Sequence, residues 1–377
     1  MYKHGGSHYT YPDCVDFSAN LNPLGMPENV RIAAERGVYD AVYYPDTECA
    51  LLRQAIVTEL NKEFGKEEIQ IKDSIIGNGA ADLLFQVCRA LRPRKALLAV
   101  PTFQEYEQAL QSVECSCVYW NLLPEEDFQL NVTDFLEQLT EEYDILFLCN
   151  PNNPTGQLVT QSRMAEILKK CKEKNIFLVV DECFMDFCIA GRDNSLLPYC
   201  TTYKNLLVVK AFTKLYAMPG LRLGYGISTN QDLMQAMKEA VQPWNISTPA
   251  QYAGIAALQE KEYVKDTIAY IALERTYLTN EIRQNQLAEK IFPTEANYLL
   301  IKADEELGNE LLKRGFVIRD CSNYRNLTSG YYRLAVRTRE ENVKLIEAWK
   351  KAACRHASKV ERNNPLIGTR HKVADGR

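Results

Sequence analysis

Residues 162–182, SRMAEILKKCKEKNIFLVVDE, change period halfway along. Up to Asn175 the apolar residues Met164, Ile167, Leu168 and Cys171 recur at helical spacing among charges; after it, Ile176 to Val180 run unbroken and end on Asp181 and Glu182. The first half reads as an amphipathic helix and the second as a strand buried on both faces. A helix feeding such a strand is the unit of a parallel sheet covered by helices, because a strand with one wet face would alternate. Working outward, the pattern repeats in DSIIGNG (73–79), KALLAVP (95–101), DILFLCNP (144–151) and NLLVVKAF (205–212), each an apolar run closed by turn residues. The fold class is therefore α/β, built on a mostly parallel sheet.

Past Thr248 the grammar changes. One or two long helices are expected between Thr248 and Asn285, followed by strands at ANYLLIKA (296–303), GFVIRD (315–320) and YYRLAVR (331–337) with a helix at DEELGNELLKR (304–314). This reads as a second, smaller α+β domain. The division expected is an N-terminal arm with part of the small domain at 1–45, a large domain at 46–247, the long helix and small domain at 248–353, and a basic flexible tail at 354–377.

The 377 residues are 46% hydrophobic with a formal net charge of −5, so no basic stripe points to nucleic acid. No apolar leader and no membrane-length apolar run is present, and a cytoplasmic protein is expected. The 12 cysteines are scattered through apolar elements without repeated C-x-x-C pairs, which fits reduced thiols and no metal; Cys115 and Cys117 have no histidine or second cysteine pair near them.

Ligands of an open α/β sheet bind beyond the carboxyl ends of its strands, so the residues there carry the functional reading. GNGAADLL (77–84) offers Gly77 and Gly79 before the amides of Ala80 and Ala81, an anion site at a helix start; Asp82 stands where a dinucleotide fingerprint needs its third glycine. PTFQEY (101–106) offers the flat face of Phe103, and NPNNPTG (150–156) sets Asn153 in a proline-fixed loop. Each of these taken alone is an ordinary turn or core residue. Asp181 ends a very apolar strand, where an unpaired carboxylate is costly and demands a partner. AFTKLYAMPGLRLGYG (211–226) places Thr213 and Lys214 after a strand and returns Arg222 through Pro219 and Gly220. One planar, phosphorylated, cationic heterocycle satisfies them all. Its phosphate takes the Ala80 and Ala81 amides, Thr213 and Arg222; its ring lies on Phe103; its N–H⁺ pairs with Asp181; its phenolic oxygen meets Asn153; its aldehyde condenses with the Lys214 amine.

With those residues in place, NPNNPTG, VVDECFMDF (179–187) and TKLYAMPGLRLGYG (213–226) resemble, in order, the cofactor motifs of the fold-type I pyridoxal-phosphate enzymes, the class I/II aminotransferases. The resemblance spans roughly Asp16 to Ala352. It implies pyridoxal 5′-phosphate as cofactor and a seven-stranded sheet between helices. It also implies a homodimer in which Tyr44 of YYPD reaches the other subunit's cofactor phosphate, and an anion-binding role for Arg333.

Two branches of the family compete. HGG (4–6), DFSANLNPLG (16–25) with Asn20, Phe184 and IRDCSNYRNL (318–327) resemble the threonine-phosphate decarboxylases of cobalamin biosynthesis. Histidinol-phosphate aminotransferases show glutamate where Leu21 stands and tyrosine where Phe184 stands. Both branches commonly carry a phosphate-binding Ser or Thr at the position of Ala211. Reaction type follows from which bond at Cα stands perpendicular to the ring, so arginines that hold a phosphate and a carboxylate decide it; Arg319, Arg333 and Arg337 are the candidate clamps, and His8 is a candidate in an arm that orders over substrate. A lyase, an aminotransferase and a non-catalytic protein of the same fold are the three hypotheses.

Overall fold

The computed structural model describes residues 5–6, 8–65 and 68–363, with side chains described through Ala353; His4 of the HGG motif and the tail from 364 lie outside the described residues. Thirteen strands occur among them: β1 Val15–Asp16, β2 Ser74–Gly77, β3 Lys95–Val100, β4 Ser116–Asn121, β5 Ile145–Cys149, β6 Phe177–Asp181, β7 Leu206–Ala211, β8 Gly224–Ile227, β9 Lys290–Ile291, β10 Tyr298–Lys302, β11 Phe316–Val317, β12 Arg319–Asp320 and β13 Tyr331–Ala335.

Seven of them form one sheet in the order β2-β8-β7-β6-β5-β3-β4. All pairs are parallel except those of β8, which runs against both β2 and β7. The five runs named from sequence are all in this sheet. The antiparallel β8 is an addition, and it has a simple cause: the link from β7 is only the short helix Phe212–Leu215 and the turn Pro219–Leu221. That link holds no full crossover helix, so the chain comes back beside β7 in the opposite sense. The core of the sheet is as apolar as the pattern required, with Leu178, Val179 and Val180 of β6 fully buried. Each such side chain contributes about 1.5–3 kcal/mol on burial, which anchors the strand end that bears Asp181.

A second sheet, β12-β13-β10-β9, is antiparallel throughout and lies C-terminal to the helices Thr248–Ala257 and Lys261–Gln284. Beside it the N-terminal chain forms a separate two-stranded parallel sheet, β1 with β11, through Val15↔Phe316 and Asp16↔Val317. Phe17 continues the contact, its N–H donating to Val317 at 2.7 Å and its carbonyl accepting from Ala335 at 2.9 Å. Five residues on, the Asn22 N–H donates to the Lys214 carbonyl at 3.1 Å. The segment from Phe17 to Asn22 is thus clamped between the two sheets.

The last helix runs from Arg339 to Asn363, and Leu345, Ile346 and Trp349 bury its first half.

Candidate active site

Between the sheets, beyond the carboxyl ends of β5, β6 and β7, lies a cleft of about 220 Å³. Thirteen of the expected residues can be placed against it. Ala80, Ala81, Phe103, Asn153, Asp181, Thr213, Lys214, Arg222, Arg319, Arg333 and Asn20 line it, Gly79 sits behind Arg222, and Phe184 forms part of its wall.

Lys214 stands in the short helix after β7, half-buried on the cleft wall. Burial, reinforced by the positive charges of Arg333 and Arg222, pulls its amine down to about 8. A lysine so placed is readily neutral and nucleophilic. The other lysine of this strand, Lys210, is engaged elsewhere in an ion pair with Asp186 at 2.6 Å.

Asp181, 4% exposed, has the partner that its burial demanded. Tyr106 donates its phenol to Oδ2 at 2.8 Å and the Cys183 N–H donates to Oδ1 at 3.0 Å. Burial and the neighbouring carboxylate raise the Tyr106 phenol well above its usual range, so it stays a donor. Sequence reading passed over Tyr106, although it lies three residues beyond Phe103. The two rings meet edge to face at 5.6 Å.

At the opposite end, the helix Ala80–Leu91 begins without a side-chain cap, leaving its first amides open toward the cleft. Gly79 has φ +83°, and a Cβ there would lie 2.6 Å from Arg222 Nη2. Gly224 of β8 is equally constrained, since its Cβ would fall 2.6 Å from the Ala80 nitrogen. Glycine at both positions lets helix start, strand and guanidinium converge. Arg222 itself is left-handed (φ 57°) and is steadied by donation from Nη1 to the Pro219 carbonyl at 3.2 Å. Asp82 turns back to accept the Asn78 N–H at 2.8 Å.

On the small-sheet side, Arg333 of β13 is buried, donating to Asn153 Oδ1 and, at 2.8 Å, to the Ser18 carbonyl. Its Nε finds no partner among the described residues. With Asn153 Oδ1 so occupied, and approached by the Tyr324 hydroxyl at 3.5 Å, the Asn153 amide is what that side chain has left to offer. Arg319 is buried beside it, with its guanidinium 5.2 Å from the Tyr324 ring centre. Asn20 Oδ1, fully buried on the cleft wall, has no hydrogen-bond partner among the described residues. An orphaned acceptor of this kind points to a ligand.

Three expected residues are elsewhere. Arg337 lies beyond the end of β13, where the chain turns into the last helix, and pairs with Glu341 at 2.7 Å. Tyr44 is 80% exposed and stacks on Trp244 at 4.5 Å, outside the cleft. His8 is exposed against Tyr9.

The donor set fits a phosphorylated pyridine aldehyde: uncapped amides and Arg222 for a phosphate, Phe103 for a ring, Asp181 for a ring N–H⁺ and Lys214 for a carbonyl carbon. Among the described residues no cluster could hold a metal ion and no helix is long and apolar enough to cross a membrane.

Comparison with known proteins places the chain in a family. Residues 12–348 match the family described as Aminotransferase class I and II. The chain is 36% identical over 338 residues to the threonine-phosphate decarboxylase of Salmonella typhimurium strain LT2, covering 89% of this chain and 90% of that protein. It is 31% identical over 347 residues to the adenosylcobalamin biosynthesis bifunctional protein CobDQ of Leptospira interrogans, covering 89% of this chain and 38% of that one. Among solved structures, the histidinol-phosphate aminotransferase of Clostridium acetobutylicum superposes with a TM-score of 0.82 at 28% identity, over 90% of this chain and 99% of that one.

Proposed function

The chain belongs to the class I and II aminotransferase family of pyridoxal-phosphate enzymes, and from that premise we propose that it decarboxylates L-threonine O-3-phosphate to (R)-1-aminopropan-2-yl phosphate, in cobalamin biosynthesis. The observation that carries this reading is the pair of buried arginines, Arg319 and Arg333, on one wall of the cleft that holds Lys214. Two guanidiniums lining one cleft match a ligand with two anionic groups, and a phosphorylated amino acid supplies a phosphate and a carboxylate. The similarity to the Salmonella decarboxylase supports the same choice.

Pyridoxal 5′-phosphate, when bound, supplies an acceptor for the electron pair left on the amino-acid carbon. The protein's own residues do the rest. Arg222, the Ala80 and Ala81 amides and the Thr213 hydroxyl would hold its phosphate, Phe103 its ring and the Asn153 amide its phenolic oxygen. Asp181, fixed by Tyr106 and the Cys183 N–H, holds the proton on the ring nitrogen. Arg319 and Arg333 grip the two anions of the substrate and so set which bond at Cα stands upright. Loss of the Cα–carboxylate bond would release CO₂, and Lys214 Nζ, on the cleft wall, would return a proton to Cα. Phe184, packed edge-on against Tyr298 at 5.0 Å, offers no hydroxyl to the phenolic oxygen, so nothing at that position assists the proton shift of transamination.

Product analysis decides the matter. Incubation with L-threonine O-3-phosphate is expected to release CO₂ and yield aminopropanol phosphate, with unphosphorylated L-threonine a poor substrate. Rapid 2-oxoglutarate-dependent transfer from histidinol phosphate without CO₂ release would establish the aminotransferase instead.

The proposed assembly is a homodimer. Tyr39, Tyr43 and Tyr44 are each at least 76% exposed, a surface that a second copy would cover. On this reading Tyr44 serves the partner's cofactor phosphate, and Tyr44→Phe should weaken cofactor retention by about 1.5–3 kcal/mol, one hydrogen bond to a charged group. Sedimentation that found a fully active monomer would remove this role. The free thiols found among the described cysteines fit a reducing compartment, and the cytoplasm is the proposed location.

A further inference from the structure

The loop Pro101–Gln104, which follows β3, carries Phe103 into the cleft and then meets the turn that follows β12. Gln104 donates from Nε2 to the Asn323 carbonyl, and its Oε1 accepts from Asn323 Nδ2 at 3.1 Å. The remaining polar atom of that asparagine, Oδ1, accepts from Arg319 Nη2 at 2.9 Å. Both primary amides are therefore used at both ends, and their orientation is fixed by the pairing. An arginine reached through such a chain is aimed from the loop that follows β3, whose Gln104 is 219 positions from Asn323 along the sequence.

We propose that Gln104 is a positioning residue: through Asn323 it sets the direction of the Arg319 guanidinium and so the grip of the cleft on the anionic end of its substrate. This deepens the reading of Arg319 as a substrate clamp and rests on it. The contact is separate from its neighbour, in which Arg325 pairs with Glu107 at 2.7 Å and lies over the Tyr119 ring at 3.9 Å. That ion pair docks the turn on the large sheet without touching Arg319, and it provides the control.

Loss of one amide link to a charged group corresponds to about a tenfold change. In the holoenzyme, Gln104→Ala is expected to raise KM for L-threonine O-3-phosphate about tenfold, with kcat within about twofold and cofactor absorption unchanged. Asn323→Ala should do as much, and the double variant no more than either, because both cut one chain. Arg325→Leu should move KM by less than about twofold. Calorimetric titration of each holoenzyme with inorganic phosphate reads the same link without turnover, as an approximately tenfold weaker Kd in Gln104→Ala. Should that variant accumulate poorly, Asn323→Ala reports the chain from its other side. A wild-type enzyme inert toward threonine phosphate refutes the decarboxylase reading, and the phosphate titration still judges the relay. Unchanged KM and phosphate affinity, additive effects in the double variant, or an equal effect from Arg325→Leu each overturn the relay.

Discussion

Lys214→Ala is expected to lose covalent cofactor attachment altogether and to lower turnover by roughly a thousandfold or more, since one amine serves both as the nucleophile and as a proton carrier. Phosphate and ring contacts remain in the variant, so cofactor can still enter and be washed out. Borohydride reduction of the wild type followed by peptide mapping should find the label on Lys214. The competing lysine of the strand, Lys210, is held as a cation by Asp186 and should stay unlabelled; label there would undo the assignment of the site. The pH dependence has a definite sign. Only the neutral amine attacks a carbonyl, and burial sets this amine at about 8 in place of 10.5. The rate of cofactor capture by cofactor-free protein should therefore climb with pH up to about 8 and level off above it, where an ordinary lysine would go on rising.

Arg333→Ala carries the second large effect. The guanidinium spans Asn153 Oδ1 and the Ser18 carbonyl, so its removal strips a donor from both walls of the cleft as well as the cation that faces the substrate. Truncating a buried, hydrogen-bonded charge costs about 2–5 kcal/mol. That corresponds to a fall in kcat/KM for L-threonine O-3-phosphate of roughly 30-fold to several thousandfold. Arg333→Lys should recover part of the loss, because an ammonium restores charge but cannot fork between the two acceptors. Steady-state kinetics on protein with its full cofactor absorbance makes the measurement, and wild-type kcat/KM in the alanine variant would show that this arginine does not hold substrate.

The sheet could be read from sequence because strands buried on both faces must be apolar whatever their neighbours are. β8 was harder: GYGI is short and half glycine, and its direction depends on the brevity of the link before it rather than on its own residues. The cofactor side of the cleft was legible for a similar reason, since Gly79, Asp181, Lys214 and Arg222 all sit at strand ends or turns that sequence marks. The substrate side was not fully so. Arg333 and Arg337 are four apart and would share a face of one continuous strand; β13 stops at Ala335, and the turn sends Arg337 to Glu341 instead. Tyr106 and Gln104 were out of reach because their meaning lies in Asp181 and Asn323, distant partners that no local spacing announces.

The parallel pairing of β1 with β11 also fixes an order of events. Val15 and Phe316 are separated by roughly 300 residues, and a ribosome adding about 5–20 residues per second needs about 15–60 s to cover that distance. For that whole interval the wall of the cleft that contains Ser18 and Asn20 has no strand to lie against, and over its last third the large sheet, complete at Ile227, is already out. A nascent chain can thus assemble the half that carries Lys214 and Asp181 before the half that carries Arg319 and Arg333, and the two walls of the cleft meet only once both are made.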